Sequence, residues 1–461
     1  MALRINPLHL HRQAIAVPSG SQTVLMLSMR NVSSLVGYCP LYEFEDLTAE
    51  TLDAAVAQLD SMSGLELGKS VHKYVRYLTG SAALASGVRP NLGAIDLDRT
   101  YDMFLPFFNH PHEIFALNGL RDWRKRCRFA ACYLAEAWET LLPRYQVEML
   151  RDFDHIFLGV RGAVSTISKI TGRPCSFVPM GVDTLRFCPW ATSAVTPVST
   201  SGNGSSGNGS SGNGSSGNGS NGNGSSGNGS SGNAGGYFYG SGMRLDTHAA
   251  PERVIRVCGI GRRSEVTHRA LLDYANRTGA FYYYDTLRMV GTSQVSFAVT
   301  SPREHRMLLA NVLKRSRYFI ANRAFADRPA LTGGKEEIPA RFYEGAAAGT
   351  IMLGNPPETE DFYEQFGWEG AVIRTPFHAA EIANVLDDLE RDPTRTDALR
   401  KHNVTQALLH HDWVYRLRTM LETVGLRPTE GMRQREERLR NLAAEINTGN
   451  YTEAPVHASP S

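Results

Sequence analysis

The stretch Val257-Cys-Gly-Ile-Gly-Arg-Arg-Ser264 sets two glycines and two arginines at the end of an apolar run. Glycine lets backbone N–H groups approach a phosphate closely, and the guanidinium fork matches phosphate oxygens. Gly259, Gly261, Arg262, Arg263 and the nearby His268 are therefore candidates to hold an anionic ligand. The two arginines could equally be solvated turn residues. Gly259-x-Gly261-x-x-Ser264 also approximates a dinucleotide-binding turn, with Asp285 at the end of the next expected strand, where a cofactor ribose needs an acid. Ser264 stands where that turn requires its third glycine.

A second set lies in Gly333-Gly-Lys-Glu-Glu-Ile-Pro-Ala-Arg-Phe-Tyr-Glu-Gly-Ala-Ala-Ala-Gly349. Pro339 suits the first turn of a helix and Gly349 the position just past its end. Glu344 then falls within the helix, and Glu336 and Glu337 in the loop entering it. Taken alone, these two could do no more than complement the positive helix terminus. His110, His112 and Glu113 are metal-binding residue types, but with Pro111 among them they read as ordinary loop residues, and no metal is expected. Glu136 and Trp138 read as a polar–aromatic pair at the edge of the core.

The elements that must position these groups alternate. Strands are expected at Val24–Leu27, Tyr101–Phe108, Phe129–Leu134, His155–Gly159 and Ser176–Val178, with helices at Ala49–Leu59 and Val164–Ile170. Further on come strands at Val254–Cys258, Ala280–Tyr284, Tyr318–Ala321 and Thr350–Leu353. Helices at His268–Ala275, Arg306–Lys314 and Pro339–Ala348 separate them. Alternation of this kind predicts parallel α/β sheets, whose ligands bind beyond the carboxyl ends of the strands. Between the two groups, Ser201–Ala234 repeats Ser-Gly-Asn-Gly-Ser units with no apolar side chain to offset the entropy of ordering. The expected organisation is an α/β domain over 1–190, a flexible insert over 191–245, a second α/β domain over 246–410, and C-terminal helices with a tail over 411–461.

Phe177-Val-Pro-Met-Gly-Val-Asp-Thr-Leu-Arg-Phe-Cys-Pro189 leaves a strand, turns at Gly181 and ends on proline. Here the chain resembles the group-1 (family-4-type) retaining glycosyltransferases of the GT-B fold. Their interdomain crossing carries Pro-x-Gly-Val-Asp-x-x-x-Phe-x-Pro, matched over 179–189. Those enzymes also carry a Glu, seven residues, then a Glu, which Glu336 and Glu344 fit. The resemblance implies two Rossmann-like domains facing across a cleft, a first C-terminal helix crossing back to the N-terminal domain, and a nucleotide-diphosphate sugar as donor. It further implies that Glu344 holds the ribose hydroxyls, Glu336 faces the donor sugar, and Arg262 with the glycine turn takes the diphosphate. Where the family has a lysine five residues beyond its Arg, this chain has Thr267, so Arg263 or His268 is expected to stand in. The family's His-Asp after a middle strand is replaced by Leu134-Ala-Glu-Ala-Trp138, so no catalytic histidine is carried over.

The bulk numbers bound the rest. At 461 residues the chain has room for two domains of ~150 residues and more. Lys+Arg 48 against Asp+Glu 46 leaves +2, which argues against a dedicated nucleic-acid binder. No apolar stretch nears the ~20 residues of a membrane span, so peripheral membrane contact alone stays open. Charged residues interrupt the N-terminus, six scattered cysteines read as free thiols, and a cytoplasmic location is expected. The function the resemblance implies is metal-independent, cofactor-free transfer of a hexosyl or related sugar, with retention, to a glycan, lipid or small-molecule acceptor. A non-catalytic nucleotide-sugar-binding module and a dinucleotide-dependent oxidoreductase are the alternatives.

Overall fold

Val24–Ser28 (β1) buries all five side chains, so both of its faces need cover. The computed structural model describes residues 24–190, 249–448 and 452–453, except short stretches within 31–34, 59–62, 82–98, 139–141 and 286–298. Within it, the helix α1 (Cys39–Leu52) is followed by the strands β2 (Ala55–Gln58), β3 (Tyr101–Phe104), β4 (Cys127–Leu134), β5 (His155–Leu158) and β6 (Cys175–Phe177). They form one sheet in the order β2-β1-β3-β4-β5-β6, with Phe107–Phe108 pairing beside β4 and every pairing parallel. Side chains alternate along β1, as the pleat requires. Val24 and Met26 enter one core with Phe44, while Leu25 and Leu27 enter the other with Phe104 and Ile114.

A second parallel sheet follows. Its strands are β7 (Ile255–Gly259), β8 (Tyr282–Tyr284), β9 (Ser316–Ile320), β10 (Ile351–Gly354) and β11 (Val372–Arg374), in the order β8-β7-β9-β10-β11. Helices α2 (Glu265–Thr278), α3 (Pro302–Lys314) and α4 (Ala340–Ala347) connect them. The fold is thus α/β with two parallel sheets and a helical C-terminus. The strand order reverses between β7 and β9, the kind of switch point at which open α/β sheets form a ligand crevice.

Two late helices, α5 (Trp413–Thr423) and α6 (Glu430–Asn447), bury Trp413, Leu417, Met420, Leu439 and Ile446 in the same core as Val24 and Met26 of the first sheet. The segment 179–189 is their junction. A Cβ on Gly181 would come within 2.8 Å of the Trp413 ring, so glycine is what permits this approach. Val182 N–H donates to His411 O at 3.0 Å, and Asp412 accepts from the Thr184 amide at 3.0 Å and its hydroxyl at 2.7 Å. Asp412 also caps α5 through Val414 N–H, and Arg435 of α6 bridges it to Asp183 at 2.7 Å each.

Two elements depart from expectation. The sequence predicts a helix over 49–59, whereas the helix is Cys39–Leu52 and 55–58 is strand. Asp53 adopts a left-handed conformation (φ 49°) that ends the helix, and Ala55–Gln58 pair with β1. The expected strand Tyr101–Phe108 is broken by Leu105-Pro106, because proline offers no N–H to a ladder. The Ser-Gly-Asn repeat lies outside the described residues. None of the six cysteines forms a disulfide. No helix among the described residues is long and apolar enough to cross a membrane.

Candidate active site

β7 delivers its chain to Gly259 and straight into the glycine turn. Gly261 has φ +72°, a conformation side-chain-bearing residues avoid, and its N–H donates to Asp285 Oδ2 at 2.6 Å. Ser264 then caps α2 by accepting from Thr267 N–H. Gly259, Arg262, Arg263 and His268 line one shallow crevice with Asn322, which lies beyond the end of β9. The crevice is therefore at the β7/β9 switch point.

The charged groups around it are unequally engaged. Arg262 lies over the Phe325 ring at 4.0 Å and 3.5 Å from Asp327, and burial lowers its pKa. Arg263 donates to the Asp285 carbonyl and lies 3.4 Å from that residue's Oδ1. The His268 Nδ1 is 3.0 Å from Tyr282 Oη; burial and the charge of Arg263 lower its pKa, so the ring is neutral near pH 7. The Thr267 hydroxyl donates to Phe377 O and accepts from Ala379 N–H, both at 2.8 Å. Asp285, the acid a dinucleotide ribose would need, serves the turn amide and Arg263.

α4 begins at Ala340 with Pro339 as its N-cap. Gly345 lets it sit on β9 and β10, where a Cβ would fall 2.7 Å from Met352 Sδ and 3.1 Å from the Phe319 ring. Glu344 is 4% exposed, and its Oε1 accepts from Arg306 of α3. Arg306 also grips Glu43 of α1 with two nitrogens, at 3.1 and 3.0 Å, and stacks on Phe187 at 4.7 Å. Burial opposes the charge on Arg306, yet Glu43 and Glu344 raise its pKa above the ordinary value. Glu43 further accepts from Asp183 N–H at 2.9 Å and Trp413 Nε1 at 3.2 Å. Glu344 thus belongs to a buried chain of charges joining the two sheets' helices, a role its spacing from Glu336 did not reveal.

Glu336 stands in the entering loop, its Oε1 3.2 Å from Arg323 and its Oε2 accepting from Glu358 N–H at 2.8 Å. Beside it, Lys335 lies against Gly162 of the first half of the chain, and Arg161 pairs with Asp361 and Glu364. Burial, and next the charge of Asp361, push the Glu337 carboxyl up to about 7. The folded chain therefore holds this proton more tightly than the unfolded one, and stability falls as pH rises from ~4.5, the unfolded value, through about 7. Glu337→Gln should leave the melting temperature nearly unchanged at pH 5 and raise it relative to wild type at pH 8. A difference that is constant across that range would show that Glu337 does not titrate there.

Across from Arg262 stand residues the sequence placed at a core edge. Trp138 meets Phe325 edge-on at 5.9 Å, and its indole N–H lies 3.4 Å from Glu136, which pairs with His110 at 3.6 Å. Glu113 is buried and engaged by Tyr38 and Asn109, and among the described residues no cluster is placed to hold a metal. Arg341 is the residue the sequence reading passed over. Its guanidinium covers Gly261 so closely that a Cβ there would overlap Nη2. The available signal was its place three residues before Glu344, on the same helical face.

The family match falls on this half of the chain. Residues 271–422 match a family described as glycosyl transferase-like. No curated protein matches the sequence. Among solved structures, Anabaena HepE in complex with UDP-glucose is similar at 9% identity, covering 88% of this chain and 99% of that one, with a TM-score of 0.43. A UDP-forming trehalose-phosphate synthase from Burkholderia xenovorans is similar at 10% identity, 88% and 99% coverage, and a TM-score of 0.45. The N-terminal domain of Candida albicans trehalose-6-phosphate phosphatase stands at 8%, 88% and 97%, and 0.45. From the helix behind the glycine turn to the helix that begins at Trp413, residues 271–422 are similar to that glycosyl transferase-like family.

Proposed function

We propose that the chain transfers a sugar from a nucleoside-diphosphate donor to an acceptor hydroxyl, keeping the anomeric configuration and using no metal or cofactor. The reading is carried by one juxtaposition: the arginine-bearing glycine turn lies at the sheet's switch point, against the helix that carries Glu344. Breaking the bond between the sugar and the diphosphate leaves negative charge on a phosphate oxygen and positive charge on the ring. Preorganised donors stabilise the first without reorganising, and that part is assigned to Arg262. Glu336 faces the sugar and shares the second. Glu344 accepts from the ribose hydroxyls through the oxygen that Arg306 does not take. The half of the chain carrying His110, Glu136 and Trp138 forms the acceptor side. The alternative of a binding module without turnover has the same donor contacts, and only turnover separates it.

Thermal shifts with UDP, GDP, ADP and NAD test the donor class. Ligand at 100 times its dissociation constant adds ~2.7 kcal/mol. One nucleoside diphosphate should raise the melting temperature by several degrees and NAD should not. Stabilisation by NAD alone would overturn the reading in favour of a dinucleotide enzyme.

A further inference from the structure

Among the described residues, the crevice lacks a free cation on the α2 side. Thr267 stands where a basic side chain would be useful, and its hydroxyl is committed to Phe377 and Ala379. The His268 ring is held by Tyr282 and neutral, and Arg263 is held by Asp285. A departing diphosphate carries more negative charge than Arg262 alone balances. On the opposite side of the turn lies Arg341, packed onto the face of Gly261 that has no Cβ. Its one hydrogen bond runs from Nη1 to the Arg262 carbonyl at 3.3 Å, and among the described residues no carboxylate lies within ion-pair distance of it. Burial lowers its pKa, with Glu344 and Asp285 opposing from farther off and Arg262 adding to the depression. A guanidinium kept in such a place at that cost is short of an anion.

We propose that Arg341 binds the diphosphate of the donor, together with Arg262, across the Gly261 turn. The proposal rests on the donor reading above and assigns its second phosphate-binding cation to α4. Placement there has a consequence. Arg341 and Glu344 are three residues apart on one helix, so ribose and diphosphate would be read by a single rigid element. Movement of α4, which Arg306 ties to α1, would then shift both contacts together.

The test compares three ligands by calorimetric titration of the full chain: the nucleoside diphosphate found by thermal shift, its nucleoside, and inorganic pyrophosphate. Arg341→Gln should weaken the nucleoside diphosphate and pyrophosphate at least tenfold and leave the nucleoside unchanged. Arg341→Lys, which keeps the charge and loses the fork, should fall between. Melting temperatures without ligand check that both variants are folded. Equal affinity of wild type and Arg341→Gln for the diphosphate, or equal weakening of nucleoside and diphosphate, would overturn the assignment. Pyrophosphate binding that depends on Arg341, with no nucleotide bound by wild type, would keep the anion site and sink the donor reading. Wild type that binds none of the three would sink both.

Discussion

Replacing Arg306 by alanine should destabilise the folded chain by about 3–5 kcal/mol, the cost of breaking a buried ion pair from one side. Arg306 is 2% exposed and lies between Glu43 at 2% and Glu344 at 4%. Its removal leaves two carboxylates inside the protein, with Arg186 3.5 Å from Glu43. The loss should be visible in chemical denaturation, as a lower midpoint with an unchanged slope. The sign of the rescue is equally specific. Adding Glu43→Gln and Glu344→Gln to Arg306→Met should recover most of the stability, because neutral groups of similar volume carry far less desolvation cost. An Arg306→Ala variant within about 1 kcal/mol of wild type, the scale of an exposed pair, would mean that the triad is open to water and does not join α1 to α4.

That triad marks the limit of what the sequence could disclose. The glycine turn at 259–264 and the helix entered at Pro339 were legible because their signals are local. A positive φ, a capping serine and a proline at a helix start each act within a few residues. Four of the five strands of the second sheet were legible because each is a short apolar run between turn signals, whereas Val372–Arg374 was not expected. By contrast α1 is buried on nearly every side, Glu43 and Glu45 included, so it has no polar stripe from which to read a helical period. Ala55–Gln58 becomes a strand through pairing with β1, which no window of its own residues contains. Arg306 and Glu43 are 263 positions apart, and only the completed fold brings them together. Arg341 carried one local signal, its spacing from Glu344, but its place over the glycine turn is tertiary. Asp183 and Asp412 show the middle case. Each is recognisable locally as a cap, but their shared bond to Arg435 is tertiary.

The proposed transfer depends most on Glu336. Its carboxylate is held by Arg323 and by the Glu358 amide, so it enters the reaction already oriented. If it shares charge on the sugar, its contribution appears as that charge develops and is nearly absent when free nucleotide binds. Glu336→Gln keeps an oxygen for the Glu358 amide and removes the charge. It should leave the affinity for nucleoside diphosphate nearly intact and lower turnover by about 10²-fold or more, the scale of one electrostatic contact at a reacting centre. Loss of kcat with binding preserved identifies an interaction made mainly in the transition state. The decisive measurement is the release of nucleoside diphosphate from a sugar nucleotide by wild type and Glu336→Gln, with water or an added acceptor. The account predicts release by wild type and a loss of two orders of magnitude in the variant. Wild type that binds the donor and releases nothing, or a variant that turns over like wild type, would contradict it.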